Sequence, residues 1–433
     1  MSGPRSSESR IRRLLADLPE YPRVVASGNG ATPWTLLRLL DETVEHYTLH
    51  VLNVQPGIPD RDGVTLETAF VGPGARRSPR LSYVPARLSL VPRLYATTLP
   101  PDLVLLHTSA PIEGRVSMGA EVNVLPAAIE ATRARGGAVV AQVDAGVPYV
   151  YGDGEIDLEE LDAVLDAEDP LGAPHAQHGP GGAEPAVAAI ADRVASLIAP
   201  GSTLQLGIGA VPDAVLAGLR DHRGLRIWSE MVSDGILELE RRGCLDDATV
   251  LTASFLLGST DLYEWAHCNP RLRLLRTETT NDPARIALNP AMVSVNTALQ
   301  VDLYGQVNAS RVRGRIHSGF GGQSDFVVGA LHSTGGQAII ALRSWHPKAD
   351  CSTIVPMIDE PPTSFQPSSV VTEHGIASLF GHAQEQQARH LIQHAAHPTV
   401  REELEEEARA IGLLPTGQPG TSPAARGSSV STT

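Results

Sequence analysis

Cysteine is scarce in this chain: Cys244, Cys268 and Cys351 are the three among 433 residues, odd in number and scattered. That excludes a disulfide framework and a paired metal-ligand spacing, and it suits a reducing compartment. Cations are outnumbered, with 34 Lys and Arg against 49 Asp and Glu and a net charge of -15, so no nucleic-acid-binding surface is expected. Long uncharged apolar runs are missing too. The opening MSGPRSSESRIRRLLADLPE carries charges throughout, and no later run is of bilayer-spanning length, which leaves neither an export signal nor a membrane anchor. These absences describe a cytoplasmic protein without nucleic-acid or membrane partners.

What is present is alternation of strand and helix, in a length that suits two α/β domains. RVVASGNGATPWTLLRLLDET reads as strand, Gly-rich turn and helix, and YTLHVLNVQPG, PDLVLLHTSA and GGAVVAQVDAG supply further β-rich runs around a helix in AEVNVLPAAIEATRARGG. LGAPHAQHGPGGAEP has linker composition. It places a domain boundary near residue 180, with domains over 1–180 and 181–412. The pattern then resumes with a helix in AVAAIADRVASLI, a strand in STLQLGIG, a helix in VPDAVLAGLRDH and a strand in LRIWSE, while MVSVNTALQVDLYGQVNAS alternates as a hairpin would. The last residues, 413–433, are rich in Pro, Gly, Ser and Thr and read as a disordered tail.

One irregular stretch, FVGPGARRSPRLSYVPARLSLVPRLY, holds five arginines. It reads as a solvated connection, with a phosphorylated ligand for Arg76, Arg77 and Arg80 as the alternative.

Three constellations carry chemistry. In LGIGAVPDAV, Gly207 and Gly209 follow a strand and Pro212 opens a helix, which offers backbone N–H groups to an anion or oxyanion; a tight turn would use the same glycines. The dinucleotide fingerprint is absent, because Pro212 stands where its third glycine would be. In LRIWSEMVSDGILEL, Glu230 lies at the carboxyl end of a strand, the rim where open α/β sheets bind ligands; a lone glutamate there is also simply solvated. In SGFGGQSDFVVGA, Gly319, Gly321 and Gly322 precede Asp325 and Phe326 as a backbone loop pressed against a ligand or another loop.

Taken in order, LGIGAVPDAV, WSEMVSDG, FLLGSTDLYEW, NTALQVDLYGQVNA, SGFGGQSDFVVGA and VVTEHGIASLFG closely resemble the acetyl-CoA hydrolase/transferase family, the class I coenzyme A-transferases, over nearly the whole chain to about residue 412. The resemblance implies two similar open α/β domains with the active site in the cleft between them. It implies a catalytic role for Glu230, oxyanion and CoA binding by Gly207, Gly209, Val211 and Pro212, and approach to the thioester by Gly321, Gly322, Asp325 and Phe326. Coenzyme A enters as substrate, with an acyl-CoA and a small carboxylate as partners, no permanently bound cofactor and no metal; a homo-oligomer, dimer or tetramer, is expected. Two places depart from the family pattern. Gln142, Val143 and Asp144 stand before Val147 and Pro148 where members often read EVN, a difference expected to touch acyl specificity, and His374 replaces a tyrosine. The reading is CoA transfer from an acyl-CoA to a carboxylate through an acyl-glutamyl anhydride and a glutamyl-CoA thioester. Its alternatives are hydrolysis by the same glutamate and CoA binding without turnover.

Overall fold

Short runs rich in Val, Leu and Ala build the first sheet of the computed structural model, which describes residues 7–169, 171, 184–207, 209–362 and 364–415. Its strands are β1 (Arg23–Ala26), β2 (Tyr47–His50), β3 (Val64–Thr68), β4 (Leu81–Tyr83), β5 (Leu103–Ser109), β6 (Ala138–Asp144) and β7 (Ala163–Asp166), all parallel in the order β4-β3-β2-β1-β5-β6-β7. Parallel strands covered on both faces need apolar residues on both. Val24, Leu103 and Leu105 accordingly pack on one face with Leu36, Leu37, Leu39 and Leu40 of helix α1 (Trp34–Thr43). Val25, Val104 and Leu106 pack on the other with Ile129 of α2 (Leu125–Ala134). Each fully buried leucine contributes about 2 kcal/mol.

The second sheet holds β8 (Thr203–Leu206), β9 (Arg226–Ile227), β10 (Met292–Asn296), β11 (Gln337–Ala341), β12 (Ser369–Thr372) and β13 (Gly375–Ser378), ordered β9-β8-β10-β11-β12-β13 and parallel except for the last pair. Helices α3 (Pro185–Leu197) and α4 (Ala210–Gly218) flank β8 in sequence, and α5 (Asp234–Arg241) follows β9. Their Ile190, Val194 and Val215 share one hydrophobic cluster with Val25 and Val104, so the two halves meet in a common core. The strand order reverses at β1/β5 in the first sheet and at β8/β10 in the second. Such switch points open crevices at the carboxyl ends of strands.

Several expectations change here. Met292–Asn296 is a central parallel strand, and the antiparallel pairing begins only at Gln300–Asp302 with Val307–Asn308, turning at Gly305 with its positive φ of 75°. The boundary near residue 180 falls outside the described residues, as does most of the tail, but Leu413 and Leu414 are buried in the second domain.

The arginine-bearing stretch 70–95 is a clasp. It supplies edge strand β4, and its Val71 and Leu88 N–H groups donate to Ser318 O (2.7 Å) and Gly321 O (2.9 Å) of the second domain. Arg76 Nε donates to His317 O at 2.8 Å, whereas Arg80 pairs with Asp60 and Asp62 on its own side. Gln142 and Asp144 are both buried, and with His107 they hold the chain at Asp169, whose N–H donates to Asp144 at 2.8 Å. No helix among the described residues is long and apolar enough to cross a membrane.

Candidate active site

Strand β9 is only two residues long, and the residues after it are fixed by hydrogen bonds to distant parts of the chain. Ser229 Oγ reaches Leu206 O at the end of β8 (3.4 Å), and Trp228 Nε1 donates to Thr280 O (3.0 Å). The Glu230 carbonyl takes the N–H groups of Ser254 (2.8 Å) and Phe255 (3.1 Å). The half-buried Glu230 side chain is thereby aimed, and its Oε2 accepts Asn281 Nδ2 at 3.1 Å. Asn281 is fully buried and oriented in turn: Thr280 Oγ1 donates to its Oδ1 at 2.9 Å, and Ser254 Oγ lies 2.5 Å from Thr280 Oγ1. That relay leaves only the amide N–H₂ to face the carboxylate.

Gly322 closes the other side. A methyl group there would overlap both Glu230 Oε2 and Asn281 Nδ2, so any larger residue would have to displace the carboxylate and the amide. It is also the residue preceding helix α6 (Gln323–His332), whose N-terminal partial charge favours an anion beside it. Asp325 and Phe326 therefore belong to a helix and not to the loop their sequence suggested. Asp325 is buried and accepts Ser89 Oγ (2.9 Å) and Ser89 N–H (3.2 Å) across the domain boundary. Phe326 is buried with Ile286, Met292 and Ala330, anchoring α6 against the segment that carries Asn281. Both side chains position Gly322; neither faces open space.

The first domain brings a second carboxylate that the sequence reading did not single out. Glu121 is 1% exposed and accepts Asn29 Nδ2 on both oxygens (2.9 and 2.7 Å) and Asn123 Nδ2 on one (2.6 Å). Asn53 Nδ2 donates to Asn29 Oδ1 at 2.7 Å. Asn29 and Asn53 follow β1 and β2 at φ of 46° and 50°, a left-handed conformation that asparagine tolerates better than most residues. Glu121 pairs backbone to backbone with Phe255, the residue that holds the Glu230 carbonyl.

Burial pushes the Glu230 carboxyl up to about 7, with the Asn281 hydrogen bond working against the rise and the Asp325 charge adding to it. Burial likewise takes Glu121 to about 7, opposed by Asn29 and Asn123 and reinforced by Glu230. Asp325 goes to about 6 by burial, with Ser89 opposing. Three raised carboxyls, Asp325 acting on Glu230 and Glu230 on Glu121, mark a candidate functional site.

Gly207 and Gly209 lie at the switch point after β8, and among the described residues other than their chain neighbours no atom is within 4 Å of where a Cβ would stand on either. Gly209, at φ of 122°, precedes α4, whose first turn holds the partly buried Val211 and the buried Pro212. Asn281 went unnoticed in sequence because it lies 51 residues from the group it binds, in an ordinary-looking TTND run. For Glu121 and Asn29 faint signals exist: an acid and an amide inside the apolar AEVNVLP, and glycines on both sides of an asparagine after a strand. The three cysteines are free, and among the described residues no group of His, Cys, Asp and Glu could hold a metal ion.

The sequence model of the acetyl-CoA hydrolase/transferase C-terminal domain matches residues 258–408. The chain is 33% identical over 418 residues to 4-hydroxybutyrate coenzyme A transferase of Clostridium kluyveri, covering 91% of this chain and 95% of that protein. Among solved structures it superposes on RipA from Yersinia pestis with a TM-score of 0.86 at 26% identity, over 94% of this chain and 100% of the other. It superposes on 4-hydroxybutyrate CoA-transferase from Porphyromonas gingivalis with a TM-score of 0.76 at 28% identity, over 94% and 97% of the two chains.

Proposed function

The chain belongs to the acetyl-CoA hydrolase/transferase family, and from that premise we propose that Glu230 is the nucleophile that carries first an acyl group and then CoA. The family activity, movement of CoA from an acyl-CoA to a carboxylate, is the activity of this chain. The observation that supports the assignment is the Glu230 carboxylate itself, between the Asn281 amide and Gly322 at the N-terminus of α6.

In the first step a Glu230 oxygen attacks the thioester carbon; the C–S bond breaks and CoA leaves as thiolate, with a mixed anhydride on Glu230. The thiolate then attacks the Glu230 carbonyl carbon. The donor acid departs as its carboxylate and a Glu230–CoA thioester remains. An acceptor carboxylate reverses the sequence, and no net proton is consumed. Each tetrahedral oxyanion needs donors. The N–H groups at the start of α4, Val211 among them, and at the start of α6 are the donors we assign, and such donors supply on the order of 3 kcal/mol each. Asn281 holds Oε2 so that one orientation of the carboxylate persists through both attacks. Acyl-CoAs of small acids, with small carboxylates as acceptors, are the substrate class assigned.

The test offers acetyl-CoA, butyryl-CoA or 4-hydroxybutyryl-CoA with acetate, propionate, butyrate, succinate or 4-hydroxybutyrate. Parallel lines in double-reciprocal plots are expected, with exchange of labelled donor acid into acyl-CoA in the absence of acceptor. Free thiol released at the same rate with and without acceptor would mean hydrolysis and would end the transfer reading.

A further inference from the structure

The cations of this acidic chain are not spread evenly. Gly314 and Arg313 form the turn of a hairpin pairing Arg311–Val312 with Arg315–Ile316, and three of its seven residues from Arg311 to His317 are arginine. Arg313 takes the left-handed conformation, φ 50°, at a turn position where Asn, Asp or Gly is the usual choice. Ile316 is partly buried against the core of the first domain, as are Leu81 and Tyr83. The Arg76 bond to His317 O brings Arg76 and Arg77 of the clasp to the same place. Arg76, Arg77, Arg313 and Arg315 are exposed, and Arg311 is half-buried. None of the five makes an ion pair with a carboxylate of the described residues, in contrast to Arg80. The turn holds one acid, Glu360, whose two oxygens accept the Gly314 N–H at 2.8 Å.

This patch is tied to the nucleophile by the chain itself. From His317 the backbone runs through Ser318 and Gly319, docked on Phe70 and Val71, to Gly322 against Glu230. That run of backbone spans at most about 17 Å. A CoA thioester has the same layout: a reacting carbonyl at one end, an uncharged pantetheine arm, and a diphosphate with a 3′-phosphate at the other. Arginine forks match phosphate oxygens bidentately, and the chain has a single lysine, Lys348, to do that work otherwise.

We propose that the hairpin arginines Arg311, Arg313 and Arg315, with Arg76 and Arg77, form an interdomain site for the phosphates of the CoA nucleotide. The site rests on the CoA-transfer reading and adds to it where the nucleotide lies: across the seam between the domains, held by both.

The test is R313E/R315E, at two exposed positions, with binding of CoA and of pantetheine measured by calorimetry beside turnover. R10E/R13E is the control: it makes the same change of charge in a groove of about 690 Å³ by Asp102 and Arg135, at the amino ends of the first sheet's strands. R313E/R315E should weaken CoA binding about ten-fold or more and leave pantetheine binding unchanged, while the control leaves both unchanged. CoA affinity within about two-fold of the starting protein, an equal loss in the control, an equal loss for pantetheine, or no measurable CoA binding by the unaltered protein overturns the site. CoA binding that responds as stated in a protein without transfer activity would leave the site standing and remove the Glu230 reading instead.

Discussion

Glu230 must be an anion to attack, yet burial holds its carboxyl near 7. The rate of the free enzyme, kcat/KM, should therefore rise with pH through about 7 and level off above it. Asn281 favours the anion, so Asn281→Ala should move that midpoint to higher pH and lower the rate at pH 7 more than at pH 9; a pH–rate profile of both proteins checks this. An unchanged midpoint would mean the amide only fills space. At this scale the sequence disclosed the nucleophile but little of its setting. Glu230 stands in a readable motif, whereas Asn281 meets it, and Asn29 meets Glu121, only through tertiary contacts, and the two asparagines look like ordinary loop residues until the Thr280 and Glu121 bonds are seen.

Helix α6 and the clasp act together as the wall that sets Glu230. Gly322→Ala would displace the carboxylate, and a shift of this size at the reacting atoms lowers kcat by about a hundred-fold with the fold intact; steady-state kinetics alongside circular dichroism checks it. Ser89→Ala takes one hydrogen bond from the buried Asp325 and should cost about 1–3 kcal/mol in denaturant unfolding. The glycine cluster was legible as a close backbone approach because nothing else needs Gly321 at φ 55° and Gly322 beside it. That Asp325 and Phe326 turn inward was not, since a three-glycine run masks the start of a helix. The clasp read as solvent-exposed for a similar reason: prolines and arginines hide a segment in which the Val71 and Leu88 N–H groups and the Arg76 side chain donate to residues more than two hundred positions away.

The two-domain α/β architecture was visible in the alternation of apolar runs, whereas the joint core was not, because Val25 and Val194 look alike whether they face a helix of their own domain or the other sheet. The crevice where the domains meet carries a cost. Glu121, Glu230 and Asp325 bind protons more tightly folded than unfolded, so their contribution to stability is present in full below about pH 4 and is lost as pH rises through 6 to 7. Melting temperature should fall between pH 5 and pH 8, and E121Q should flatten that fall; calorimetry across the range checks the sign. The reaction itself is probed most directly by trapping. Incubation with acyl-CoA alone, then borohydride and peptide mass spectrometry, should reduce the carboxyl of Glu230 to an alcohol in the peptide that contains it, with no change in Glu230→Ala. An unmodified Glu230 peptide with every active donor, or an adduct on another residue, would contradict Glu230 as the carrier of CoA.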